Sequence, residues 1–210
     1  MNRRPVVLVH GTRTSGTIWE PQVAALRRAG HRTRALDLPG HGSRSDERFT
    51  LQGAVDAIDR AVHDCDERPL LVGLSLGGYT SLAYAGSRPG RVAGVVLAGC
   101  STQLRGKPLA AYGRVSGLVA GRGGTWHVVT DMLDALDGYS SLDEVRRLTV
   151  PVWLVNGRRD PLRLDERRYR RAVAPGRLTV VRGAGHDVNS HAPVAFNRVL
   201  LDAIWQLRER

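Results

Sequence analysis

Lysine is nearly absent from this 210-residue chain: Lys107 is the only one, so the 31 basic residues that outnumber 20 acidic ones are almost all arginine. A formal charge of +11 raises the question of nucleic acid, since clustered basic groups release phosphate counterions. The arginines are instead spread over every segment, and aromatics make up only 5% of the chain. No nucleic-acid partner is expected. The densest run, Arg163, Arg167, Arg168, Arg170 and Arg171, is read as the solvated face of one helix. Asp165 and Glu166 stand at helical spacing to pair with part of it. Cysteine is equally scarce: Cys65 and Cys100 are too few for a disulfide framework and lie in no metal-ligand spacing. Free thiols are the expectation. No apolar run is long enough for a membrane span or a leader, since Met1-Asn2-Arg3-Arg4-Pro5 leads straight into a short strand. The expected setting is the cytoplasm, with no membrane partner.

What the chain does have is a rhythm. Apolar, β-branched runs recur at Val6 to Val9, Ala35 to Leu38, Leu70 to Leu74, Val92 to Ala98, Val152 to Val155 and Leu178 to Val181. Runs of this kind, continuous rather than alternating, mark strands buried on both faces, as in a parallel sheet covered by helices. Between them the spacing predicts helices over Trp19 to Ala29, Leu51 to Cys65, Gly77 to Ser87, Leu162 to Val173 and Ala192 to Gln206. Stops such as Gly30, Pro89-Gly90 and Pro175-Gly176 punctuate them. Alternating strand and helix gives the α/β class, and the length suits one domain.

One stretch breaks the rhythm. Residues about 102–149 show no strand, with helices expected over Lys107 to Val119 and Trp126 to Leu136 around Gly121-Arg122-Gly123-Gly124. A structureless loop of that length is out of place in a compact domain, so it is read as an inserted helical lid on a core of residues 1–101 and 150–210.

The chemistry concentrates where the strands end. Gly73-Leu74-Ser75-Leu76-Gly77 follows an apolar strand and opens a helix, the context of a nucleophile elbow, in which glycines on both sides of the serine admit a tight, strained turn. His10-Gly11-Thr12 follows the first strand, where a backbone N–H can meet a developing oxyanion together with the N–H after the nucleophile. Thr12 and Leu76 are those donors, and His10 is read as a brace for the loop. After the last strand, Gly183-Ala184-Gly185-His186-Asp187 presents a histidine, the residue type best suited to exchange a proton near neutrality. His191 is expected on the following helix, turned away. Asp160, in Asn156-Gly157-Arg158-Arg159-Asp160-Pro161, is placed to cap the next helix and to reach that histidine; Asp165 and Asp187 are less well placed.

On these residues the chain resembles the α/β-hydrolase superfamily, in its serine-nucleophile branch with a His-Gly oxyanion loop. Asp37-Leu38-Pro39-Gly40-His41-Gly42-Ser43 is similar to that family's loop after its second core strand. The order Ser75, Asp160, His186 is also the family's order. The resemblance implies an α/β-hydrolase fold, here with a reduced, mostly parallel sheet of about six strands flanked by helices. It implies a serine hydrolase that cleaves a carboxylic ester, lactone or thioester of a small molecule and needs no metal or organic cofactor. Non-hydrolytic chemistry on the same residues (lyase, cyclase or acyl transfer) and a receptor-like binding protein are the alternatives it leaves. In the lid, Tyr112, Trp126 and Met132 are candidate substrate-binding residues, as is Arg13 beside the oxyanion loop; His127 and Tyr139 are further lid residues with the same two readings, pocket lining or packing.

Overall fold

A computed structural model describes residues 3–106, 126–174 and 177–208. Six strands, β1 (Val6–Val9), β2 (Thr33–Leu36), β3 (Leu70–Leu74), β4 (Gly94–Ala98), β5 (Val152–Gly157) and β6 (Leu178–Val181), form one sheet in the order β2-β1-β3-β4-β5-β6. Every pairing is parallel. The helices are α1 (Glu20–Arg28), α2 (Leu51–His63), α3 (Leu76–Ser87), α4 (Trp126–Ala135), α5 (Ser141–Arg147), α6 (Glu166–Ala172), α7 (Val188–His191) and α8 (Pro193–Gln206).

The continuous apolar runs have a simple cause: alternate strand residues face two different cores. Val7, Val9, Leu71, Val95, Leu97 and Leu154 pack with α2 and α3 residues such as Ile58 and Leu82. Val6, Leu8, Leu70, Val72, Val96 and Val155 pack on the other face with Trp19, Leu26, Phe196 and Leu200. With a period of two and an apolar partner on each side, no polar side chain is left in β1, β3 or β4.

Three elements begin two or more residues away from the sequence reading. β2 lies two residues earlier than Ala35 to Leu38, because its register pairs Thr33 with Val6 and Leu36 with Val9, and the Leu38 N–H is donated to the His10 ring instead of to the sheet. β4 begins at Gly94 rather than Val92. The helix expected from Leu162 starts only at Glu166, after its N-cap Asp165. The N–H groups of Leu162 and Leu164 are held by the Asp160 carboxylate and the Thr102 hydroxyl, so Asp160 ties a turn ahead of the helix and does not cap it, and Arg163 falls outside the helix. The ion pairs expected of that arginine run do form: Arg163 with Glu166 and Arg168 with Asp165.

Between β4 and β5 the described part of the insertion holds α4, close to the expected Trp126 to Leu136, and the unforeseen α5. The expected helix over Lys107 to Val119, and Tyr112 within it, lie outside the described residues. Helix α4 is fastened to the body: Arg48 donates from Nε and Nη2 to the two carboxylate oxygens of Asp131, and Val128 packs against Gly40. Among the described residues no helix is long and apolar enough to cross a membrane.

The strand order places the site. The chain steps from β1 outward to β2, then returns to add β3 on the other side of β1. At such a switch point the loops leaving the two central strands diverge and open a crevice at their carboxyl ends. Those loops are His10-Gly11-Thr12 after β1 and Ser75 after β3.

Candidate active site

Ser75 has φ 52 and ψ −116, a conformation that costs a non-glycine residue on the order of 1–3 kcal/mol and persists only where its surroundings impose it. The surroundings here are backbone. A Cβ on Gly73 would stand 2.1 Å from the Gly77 carbonyl oxygen, and one on Gly77 would stand 2.2 Å from that of Val9. Only glycines let β3, α3 and β1 approach this closely. The Ser75 N–H is anchored on the Ala98 carbonyl at 2.8 Å, and its carbonyl accepts from the Gly78 and Tyr79 N–H groups. The hydroxyl therefore stands above the sheet at the amino end of α3, where the helix dipole favours negative charge.

The His186 Nε2 lies 2.9 Å from Ser75 Oγ, and its Nδ1 lies 3.0 Å from Asp160 Oδ2. An ionised carboxylate only accepts, so Nδ1 carries the proton and Nε2 is left to accept from the serine hydroxyl. The Asp160 side chain is fully buried, and its second oxygen, Oδ1, accepts from the Leu162 N–H at 2.8 Å. The three side chains singled out from the sequence are thus brought into one hydrogen-bonded line, from β3, β5 and β6 respectively. Gly99 makes room for it: with φ +60, a Cβ there would crowd the His186 ring at 3.2 Å. The sequence reading missed that role, although a glycine directly after a core strand was its visible sign.

The loop after β1 lies against Ser75, since a Cβ on Gly11 would touch the Ser75 Cβ at 3.4 Å. Thr12 follows on this loop, and Leu76 is the first residue of α3. The Thr12 hydroxyl donates to the Met132 sulfur at 3.0 Å, which brings α4 over the loop after β1. Arg13 is exposed with φ 61. Trp126 opens α4.

Two other histidines are structural. His10 is fully buried, donates from Nδ1 to the Gly11 carbonyl at 2.7 Å and accepts from Leu38 N–H at 3.0 Å; burial pushes its pKa down to about 4. It braces the loop as expected. His191 sits on α7, and its ring is not idle: Nδ1 accepts from the Gly185 N–H at 3.1 Å, steadying the loop that carries His186. Cys100 lies beneath α3, its thiol pKa driven up by burial, and both cysteines are free. Among the described residues no group of three His, Cys, Asp or Glu side chains is placed to hold a metal.

Residues 6–199 match the model of the Alpha/beta hydrolase family. Probable esterase PIR7A of Oryza sativa subsp. indica is 45% identical over 103 residues, covering 45% of this chain and 38% of that protein. Pimeloyl-[acyl-carrier protein] methyl ester esterase of Aromatoleum aromaticum is 33% identical over 126 residues, covering 58% of this chain and 49% of its own length. The chain thus spans less than half of each of these curated relatives. Among solved structures, Rv0554 of Mycobacterium tuberculosis superposes with a TM-score of 0.79 at 22% identity, over 95% of this chain and 89% of that one. At that identity the likeness is one of fold.

Proposed function

The chain belongs to the alpha/beta hydrolase family, and on that premise we propose that it hydrolyses a carboxylic ester, lactone or thioester of a small molecule through an acyl-enzyme on Ser75. One observation carries the reading: Ser75 Oγ, the His186 ring and Asp160 Oδ2 form a continuous line with steps of 2.9 and 3.0 Å. Ser75 Oγ attacks the acyl carbon while His186 Nε2 takes its proton; Asp160 holds the tautomer and steadies the imidazolium. The tetrahedral oxyanion rests on the N–H groups of Thr12 and Leu76, each worth about 10²- to 10³-fold in rate. Collapse expels the alcohol or thiol, which takes the proton back from His186. Water, deprotonated by the same ring, then attacks the acyl-enzyme and releases the acid.

Met132 and Arg13 border the oxyanion loop and belong to the substrate-binding wall in this reading. Relatives named as esterases support the ester class. Two free thiols suit a reducing compartment, the cytoplasm. The test is covalent labelling by a fluorophosphonate, read by intact mass, beside turnover of p-nitrophenyl esters. One adduct that disappears in Ser75→Ala, with ester turnover in the unaltered protein, is the expected result. No adduct and no turnover in the unaltered protein would overturn the reading.

A further inference from the structure

The serine–histidine contact and the histidine–aspartate contact explain how two of the three groups are aimed. The aspartate needs an account of its own, because it sits in a loop of eight residues, 158–165, between β5 and α6. The first half of that loop is pinned to β6 and the His186 loop by Arg158 N–H on the Val181 carbonyl and Arg159 N–H on the Ala184 carbonyl. The second half has no strand beside it. It is held by three consecutive residues from another part of the chain: the Asp165 N–H donates to the Ser101 carbonyl at 3.0 Å, the Gln103 N–H donates to Asp165 Oδ2, and the Thr102 hydroxyl meets Leu162 and Leu164.

Of these three, Thr102, at the root of the insertion, bonds the turn after Asp160. Its hydroxyl donates to the Leu162 carbonyl and accepts from the Leu164 N–H at 3.3 Å, bridging the two sides of the turn. Leu162 in turn donates its N–H to Asp160 Oδ1. The Thr102 backbone is itself fixed: its carbonyl accepts from the Tyr79 hydroxyl at 2.8 Å and the Tyr169 hydroxyl at 3.2 Å. Tyr79 is on α3, one turn beyond Ser75, and Tyr169 is on α6. The neighbouring Gln103 continues the tie to both helices of this region, with its N–H on Asp165 Oδ2 and its side chain on Ser140, Ser141 and the Leu142 N–H.

We propose that Thr102 is a positioning residue for Asp160: its hydroxyl fixes Leu162 so that the Leu162 N–H holds the carboxylate in line with His186, while its carbonyl references that line to the nucleophile helix. The inference rests on the assignment of Ser75, His186 and Asp160 as the reacting line. Hydrogen bonds in series reinforce one another, and the Thr102–Leu162–Asp160 series is half-buried, so removing the hydroxyl loosens Oδ1 first and the Asp160–His186 contact next.

The experiment compares Thr102→Val, which keeps the shape and loses the hydroxyl, with Thr102→Ser, which keeps the hydroxyl. Kinetics on a p-nitrophenyl ester and the low-field proton resonance of the His186 Nδ1–H are read on both. The valine variant should lose about tenfold in kcat with KM within about twofold, the signature of misalignment rather than lost binding. Its low-field resonance should shift or broaden, and the serine variant should restore both. If the valine variant does not fold, Thr102→Ala, which places no methyl against the Leu162 carbonyl, takes its place. A valine or alanine variant with unchanged kcat and resonance, or a serine variant as impaired as either, would overturn the proposal. The resonance reads the Asp160–His186 contact without turnover, so an inactive unaltered protein would defeat the esterase reading and leave this one to be decided by the spectrum.

Discussion

Two loops leave the carboxyl edge of the sheet with a histidine in each, and they use it in opposite ways. After β1, both nitrogens of His10 are spent on backbone, the Gly11 carbonyl and the Leu38 N–H, and the ring is sealed from solvent. After β6, both nitrogens of His186 meet side chains, one a hydroxyl and one a carboxylate, and about a quarter of the side chain stays exposed. A ring whose two nitrogens are tied to peptide groups can give up its proton only by breaking the fold. A ring set between a serine and an aspartate can move a proton and leave the backbone where it was. The partners and not the residue type separate a brace from a base.

The largest effect available should come from the His186 side. His186→Ala is expected to lower kcat by about 10³-fold or more while barely moving the thermal midpoint, because the ring is peripheral to both cores. His10→Ala should do the reverse. It strands the buried Leu38 N–H and opens a cavity, for a stability loss of about 2–4 kcal/mol in urea unfolding. A His10→Ala protein of normal stability with kcat abolished would break the comparison.

Acid should widen the contrast. The folded-state pKa of His10 is depressed by burial, so the unfolded chain binds a proton there that the folded one refuses. Stability is then complete above about pH 6.5 and falls as the pH drops toward about 4, with a ceiling of ~3 kcal/mol for this one group. His41, also buried and depressed, and packed edge-on against His10 at 4.9 Å, adds to the loss in the same direction. Urea midpoints measured from pH 7 to pH 4.5 should decline, and the decline should flatten in His10→Asn. An equal decline in both would remove His10 from the account.

How much of this the sequence carried depends on how burial writes itself into residue order. β1, β3 and β6 coincide with their apolar runs, and β1 and β3 run between two cores where every position is constrained. β2, an edge strand with two exposed residues among four, carries no such constraint, and the last apolar residue of its run, Leu38, lies where the chain has already peeled away toward His10. Ser75, His186 and Asp160 were legible because each stands in the loop after a core strand, among glycines or beside a proline. Thr102 and Gly99 were not. Their work is to accept, to bridge and to make room, and a threonine that bridges a remote turn has no periodicity or spacing to announce it. The seven-residue helix α5 is too short for its pattern to stand out from the loop around it.

The smallest expected effect sharpens the comparison most. If the loop after β1 lends only its backbone to the reaction, the Thr12 side chain is dispensable, since an N–H donor survives any substitution but proline. Its hydroxyl makes a weak contact with the Met132 sulfur, worth little in water. Thr12→Val should therefore hold kcat within about twofold on a short p-nitrophenyl ester, with at most a similar change in KM from the altered seat of Met132. A loss of about 10²-fold would show that the hydroxyl itself meets the oxyanion, as a single side-chain donor does elsewhere. The loop after β1 would then contribute a reacting side chain of its own, and the division between a bracing loop and a reacting loop would fall within His10-Gly11-Thr12 rather than between β1 and β6.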